Sequence, residues 1–236
     1  MDRPSLARKM AAEALGTCLL LIAIVGSGIA ASRLSPTNAG LQLFENAATT
    51  AFALVAIILA LGPVSGAHLN PVITLVDRLL GGVSTAEASA YVLAQVVGAV
   101  AGAVIANLMF SLPAIELSHL DRAGGGLLLG EVVATFGLVL VVFGVIRSPR
   151  PAAAPFAIGA FIGSAHFFTS STSFANPAVT LARALSDTFT GIAPSSVLPF
   201  VASQLVGGIL GYAVVLTLIP DVGRVAGDVV VPRRGG

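Results

Sequence analysis

The chain has 236 residues, of which 56% are hydrophobic and only 10% charged, and its net charge is +1. A soluble domain carries about 25% charged residues, so a water-soluble globular protein is excluded and an integral membrane protein is indicated. The near-neutral balance leaves no basic surface for nucleic acid. The single cysteine, Cys18, permits neither an internal disulfide nor a cysteine-based metal site.

In chain order, long apolar runs without strand-like alternation predict six membrane-spanning helices, at 10–31, 43–62, 86–110, 127–147, 153–170 and 196–219. The first run is too long for a signal-peptide core and lacks a small-residue cleavage site, so it reads as a span. The linkers are short and rich in turn residues, as in Gly124-Gly125-Gly126 and Ser148-Pro149-Arg150-Pro151. The 26 glycines, joined by many alanines, suit close helix approach in lipid. With the N-terminus inside, Arg3, Arg8, Lys9, Arg78, Arg147, Arg150, Arg224, Arg233 and Arg234 are cytoplasmic, nine of the 12 basic residues. Only Arg33, Arg122 and Arg183 fall outside, a bias that satisfies the positive-inside rule with both termini cytoplasmic.

Two shorter segments, 70–80 and 176–186, interrupt this series. Each opens on Asn-Pro: Asn70-Pro71-Val72 in the first and Asn176-Pro177-Ala178 in the second. Asn is a good N-cap, and Pro at the first helical position loses no hydrogen bond. Each then runs apolar for about ten residues, or about 15 Å of helix, half of a hydrocarbon core of about 30 Å. These are predicted to be re-entrant half-helices meeting at the midplane.

The chain is duplicated, with repeats over about 8–110 and 127–220 in one channel domain. Thr74/Thr180 and Leu75/Leu181 match once the asparagines are aligned. Glu13 and Glu131 open the two halves, and Gln95-x-x-Gly98 and Gln204-x-x-Gly207 close them. Three full spans separate the two Asn-Pro segments, so the second enters from the opposite face. Inverted repeats with broken helices put the functional site at the repeat interface.

With these motifs the chain resembles the aquaporin, or major intrinsic protein, family over nearly its whole length. The resemblance rests on the two Asn-Pro-Ala-type boxes, on Ser65-Gly66-Ala67-His68 before the first, on Glu13 with Glu131, and on the repeated Gln-x-x-Gly. It implies an all-α hourglass of six transmembrane helices and two half-helices. It also implies homotetramers in the cell inner membrane that pass small uncharged solutes without a cofactor or metal. The first box carries Val72 for the usual Ala, which predicts slight repacking where the boxes touch. The second is followed by Val179 where most of the family has Arg. The other filter positions map by the resemblance to Thr50, Ser164 and Ser173, an outer ring of small groups with neither aromatic ring nor cation. The run from Phe168 to Thr180 is similar to a bacterial aquaglyceroporin branch associated with arsenic detoxification. The substrates it implies are arsenite, related arsenicals and glycerol-like polyols, with water.

The chemistry expected of such a pore is simple. Stretches 66–69 and 172–175 supply carbonyl acceptors facing water, and the Asn70 and Asn176 amides supply donors. Both half-helix N-termini add roughly half a positive charge each, which rejects cations and hydronium. Glu13 and Glu131 are intramembrane acids, open to a proton-relay reading; the resemblance favours anchoring of the re-entrant loops. His68 reads as a hydrogen-bonded residue of the pathway rather than a pH gate. His166 is open between the vestibule and packing, and His119 belongs to a solvated loop. Phe167, Phe168 and Phe174 read as packing. Asp77 and Arg183 stand seven residues past each Asn; Arg183 is open to partly replacing the missing filter cation from one turn further out, but is expected rather at the outer mouth or paired with Asp187. A water-selective channel and an ion-coupled transporter are the competing functions, and no nucleophile–base set or phosphate loop argues for an enzyme.

Overall fold

The computed structural model describes residues 4–219. The basic residues Arg3, Arg224, Arg233 and Arg234, and with them part of the charge argument for orientation, lie outside the described residues. Helix α1 spans Leu6–Leu34, α2 Ala39–Ser65, α3 Pro71–Leu80 and α4 Thr85–Met109. The second half repeats the order with α5 Gly125–Arg147, α6 Ala154–Phe168 after a short 3-10 turn, α7 Pro177–Arg183 and α8 Pro194–Leu218. No strand occurs among the described residues. Among the described residues six helices are long and apolar enough to cross a membrane, each within a few residues of its predicted limits.

Local chemistry explains the boundaries. Ser84 and Glu87 form a reciprocal capping box at the start of α4, and Asn38 caps α2 through the Leu41 amide. Asn70 and Asn176 cap α3 and α7, each followed by proline. The segment expected over 176–186 is helical only to Arg183. Beyond it the chain turns, and its carbonyls are taken by the outer loop: Ser118 N–H donates to Ala184 and Glu116 N–H to Leu185.

The two halves pack alike. Helix α1 lies on α2 and α4, α5 lies on α6 and α8, and both half-helices touch α4 and α8. The Gln-x-x-Gly repeat is one cause. A Cβ on Gly98 would strike the Ala14 carbonyl, and one on Gly207 would strike the Val132 carbonyl. These carbonyls belong to the residues following Glu13 and Glu131, so each glycine lets the last helix of its half close onto the first. Val72, the extra bulk in the first box, is accommodated against Gly208 of α8, where a Cβ would meet its Cγ1. Exposed apolar side chains such as Phe52, Leu93, Leu129 and Leu198 cover the outside, the surface expected of helices in lipid.

Candidate functional site: a pore between two capped half-helices

The backbone leading into each half-helix is unusual. Gly66, Ala67 and Leu69 before the first box have φ of 90°, 47° and 52°. Thr172, Ser173 and Ala175 before the second have φ of 63°, 52° and 48°. Left-handed backbone is costly for residues with a Cβ, and here it recurs at three matched positions per loop.

Buried acceptors hold it in place. One Glu13 carboxylate oxygen accepts the His68 amide at 2.9 Å and the Ser65 hydroxyl at 2.6 Å. The other accepts the Leu69 amide and Gln95 Nε2, both at 2.8 Å. Glu131 repeats the arrangement with the Phe174 and Ala175 amides at 2.9 Å each and Gln204 Nε2 at 2.6 Å. Gln95 and Gln204 each also donate to the box threonine, Thr74 at 3.0 Å and Thr180 at 2.8 Å. Each threonine hydroxyl returns to the carbonyl of its own Asn. Glu13 and Glu131 are thus fully engaged with loop amides and glutamines, and neither borders the cavity between the half-helices.

The two caps touch. Asn70 Nδ2 donates to the Ala175 carbonyl and Asn176 Nδ2 to the Leu69 carbonyl, both at 2.7 Å. Their Oδ1 atoms accept the first amides of α3 and α7, namely Val72 at 2.9 Å and Ala178 at 3.0 Å. An amide NH2 carries two hydrogens, so each Asn locks the opposite loop with one and has a second for the cavity it borders.

That cavity offers about 60 Å³ to water-sized molecules, room for a small solute or a short file of waters. Its lining is largely apolar, with Leu20, Ile24, Leu54, Ile58, Leu138, Val142, Ile158, Ile162 and Val179. Polar groups reach it from His68, Asn70, Ser173 and Asn176. Thr50 borders it from α2, and neither its hydroxyl nor that of Ser173 has a hydrogen-bond partner among the described residues.

Ser164 does not belong to this ring. Its side chain is exposed on the outer face of α6, while Ile158, Ile162 and His166, spaced one turn apart, face the cavity. Two residues on a helix differ by about 200° in direction, so the position implied by the resemblance lies on the exposed side. The α6 residue that borders the cavity in its place is His166. Its Nδ1 bonds the Ile162 carbonyl at 2.7 Å; a carbonyl only accepts, so Nδ1 carries the proton and Nε2 is left as an acceptor.

The expected absence of a cation is also corrected. Val179 stands after Ala178 as read, but Arg183, one helical turn further on, borders both this cavity and a wider outer vestibule of about 590 Å³. Its guanidinium carbon lies 3.4 Å from the centroid of the Phe174 ring, and its Nε donates to the Thr190 carbonyl. It does not pair with Asp187. That carboxylate accepts the His119 amide at 2.9 Å and faces His119 Nδ1 at 3.0 Å, and the amide first, then the ring, hold its pKa below the ordinary carboxylate value. His119 therefore belongs to a loop clasp, and no cluster of metal-ligating side chains occurs among the described residues. Arg122 lies 5.0 Å from the same Phe174 ring, with Nε on the Gly191 carbonyl at 2.7 Å; burial lowers its pKa to about 10. Phe174 is a cavity wall as well as packing, while Phe167 and Phe168 are exposed.

The sequence reading missed the roles of Gln95, Gln204, Thr74 and Thr180 as links between carboxylate and box, and it did not assign Ser171. Ser171 receives the Ser173 amide at 3.3 Å, as Ser65 receives the Ala67 amide at 3.0 Å. The signal was present, because all of these except the glutamines keep the spacing that aligns Asn70 with Asn176.

Comparison with known proteins agrees with this geometry. The family model described as major intrinsic protein matches residues 1–175. Over 219 residues the chain is 45% identical to the aquaglyceroporin AqpS of Rhizobium meliloti (strain 1021), covering 93% of each protein. It is 32% identical over 170 residues to a probable aquaporin of TIP type alpha from Phaseolus vulgaris, covering 68% of this chain and 66% of that one. The X-ray structure of the aquaglyceroporin from Plasmodium falciparum superposes with a TM-score of 0.69 and 19% identity, over 93% of this chain and 99% of the other. The last shows the shared fold. The chain belongs to the major intrinsic protein family, whose members are membrane channels and not enzymes.

Proposed function

We propose that this member of the major intrinsic protein family is a passive channel for small uncharged solutes, among them glycerol-like polyols, arsenite and related arsenicals, and water. One observation carries the reading: the wall beside the second box is Val179 with the unpartnered hydroxyls of Thr50 and Ser173, so the side chain at that point takes little room and bears no charge. A hydroxylated solute exchanges its water hydrogen bonds for these hydroxyls, for His166 Nε2 and for the free hydrogens of Asn70 and Asn176. The apolar residues of the lining accept a carbon skeleton, which has no hydrogen bonds to lose. A cation has no such exchange, because the N-termini of α3 and α7 both present positive ends to the middle of the path.

The similarity to an aquaglyceroporin of a Rhizobium supports the polyol part of the proposal. The arsenite part rests on the small neutral ring, since trivalent arsenic hydroxide is an uncharged molecule with three hydroxyls, close to a polyol in shape. In the cell the channel is placed in the inner membrane as a homotetramer with both termini cytoplasmic, and the exposed apolar surface supports lipid and subunit contacts there.

Stopped-flow swelling of proteoliposomes with water, glycerol and arsenite tests the reading. Uptake of both solutes with low activation energy and no response to a proton gradient is expected. Saturable, gradient-driven uptake would overturn it, and swelling by water alone would mark a water-selective channel.

A further inference from the structure

The charge missing beside the second box is not missing from the pore mouth. We propose that Arg183 is the specificity-determining cation of this channel, a fixed positive charge at the junction of vestibule and pore that rejects cations while leaving the opening wide. The inference rests on the channel reading above.

Four observations place it there. Arg183 is 3% exposed, yet it borders the cavity on one side and the vestibule on the other. Every solute that crosses between the two passes it. Among the described residues its only hydrogen bond is from Nε to the Thr190 carbonyl, which leaves the terminal nitrogens without an acceptor there. Among the same residues no acid forms an ion pair with it: Asp187 is bound by His119, and both oxygens of Glu131 are occupied by loop amides and Gln204. An intramembrane charge without a counter-charge marks a functional position.

The side chain is also immobilised. The Phe174 ring supports it from one side, and Phe174 is itself set edge-on against Phe200 at 5.2 Å between centroids. Thr190 is wedged against α1, where a Cβ on Gly28 would strike its methyl. A guanidinium laid over a ring and tied through Nε cannot swing into the path, so the charge acts without narrowing the opening. Arg122, whose Nε and Nη2 donate to the Gly191 and Phe189 carbonyls, adds to the positive field from 5.0 Å off the centre of the same ring. At a separation of about 5 Å and an effective dielectric of about 20, one such charge is a sizeable barrier to a cation and none to a neutral molecule.

Urea and guanidinium are close in size and shape and differ in charge, so their permeability ratio isolates this effect. In proteoliposomes the wild type is expected to take up urea and exclude guanidinium. Arg183→Gln should raise the guanidinium-to-urea ratio at least about tenfold with urea uptake retained, the change expected for loss of roughly 1.4 kcal/mol of barrier. Arg183→Lys, which keeps the charge and loses the flat stack, should hold the wild-type ratio at pH 7. A Gln variant that still passes urea and excludes guanidinium as before overturns the proposal. So does a Lys variant that leaks as much as the Gln variant, or loss of urea uptake in both, since a specificity residue can be exchanged without closing the path. A wild type that passes neither urea nor glycerol would instead sink the channel reading itself.

Discussion

The loop before α3 and the loop before α7 share one backbone and carry opposite chemistry. Each is held by a buried glutamate, a glutamine and a threonine, and each has left-handed residues at the same three places. Each also has a ring set edge-on against an aromatic residue of the following long helix. In the first loop His68 meets Tyr91 at 5.2 Å, and in the second Phe174 meets Phe200 at 5.2 Å. Tyr91 and Phe200 stand four residues before Gln95 and Gln204. The next position separates the halves. Asp77 approaches His68 at 3.6 Å, while its counterpart Arg183 covers Phe174 at 3.4 Å. The duplication thus fixes where the backbone goes, and a few substitutions within it put a buried carboxylate beside one loop ring and a guanidinium over the other.

The shared frame is the place for the largest effect. Glu13→Ala and Glu131→Ala each strand two strained loop amides and a glutamine without their acceptor, at a cost of about 3–5 kcal/mol by analogy with breaking a buried pair. Thermal unfolding in detergent should show losses of similar size for both. A well-tolerated change in one half would break the equivalence of the two loops.

Val179→Arg puts a long cation directly into the wall beside the second box, where its partner position in the first half is Ile73. Glycerol uptake should fall about tenfold or more while water permeation stays close to wild type, as expected for a pocket that loses room. Equal loss of both would show that residue 179 does not set the size limit.

Thr50→Val and Ser173→Ala remove hydroxyls that have no protein partner, so their effect on stability should be small. Their effect on glycerol permeability should be about fivefold, the value of one exchanged hydrogen bond of about 1 kcal/mol. The smallest effect sharpens the assignment in α6. Ser164→Leu, on the exposed face, should leave glycerol uptake within about twofold, whereas His166→Ala should change the ratio of glycerol to water permeation. The reverse outcome would return the ring position in that helix to Ser164.

Much of the architecture is legible in the sequence. The six spans follow from hydropathy, because a chain in lipid must satisfy its backbone within each helix. The half-helices follow from Asn-Pro, which caps and starts a helix by local chemistry alone. What was hidden in α6 is the phase of a helix that is apolar on every side. Ser164, the polar residue chosen there, is exposed, and His166 is buried. Polarity gives no direction when both lipid and core are apolar.

The sequence by itself determined the membrane class, the duplication, the two capped half-helices and the residue after each box, since these depend on composition and on neighbours along the chain. Only the tertiary structure decided that Glu13 and Glu131 hold loop amides, that each Asn reaches the opposite loop, and that Arg183 lies over the Phe174 ring beside the cavity. Those contacts join residues from 9 to 107 positions apart. Their chemistry exists only once the helices have packed and placed the partners within reach.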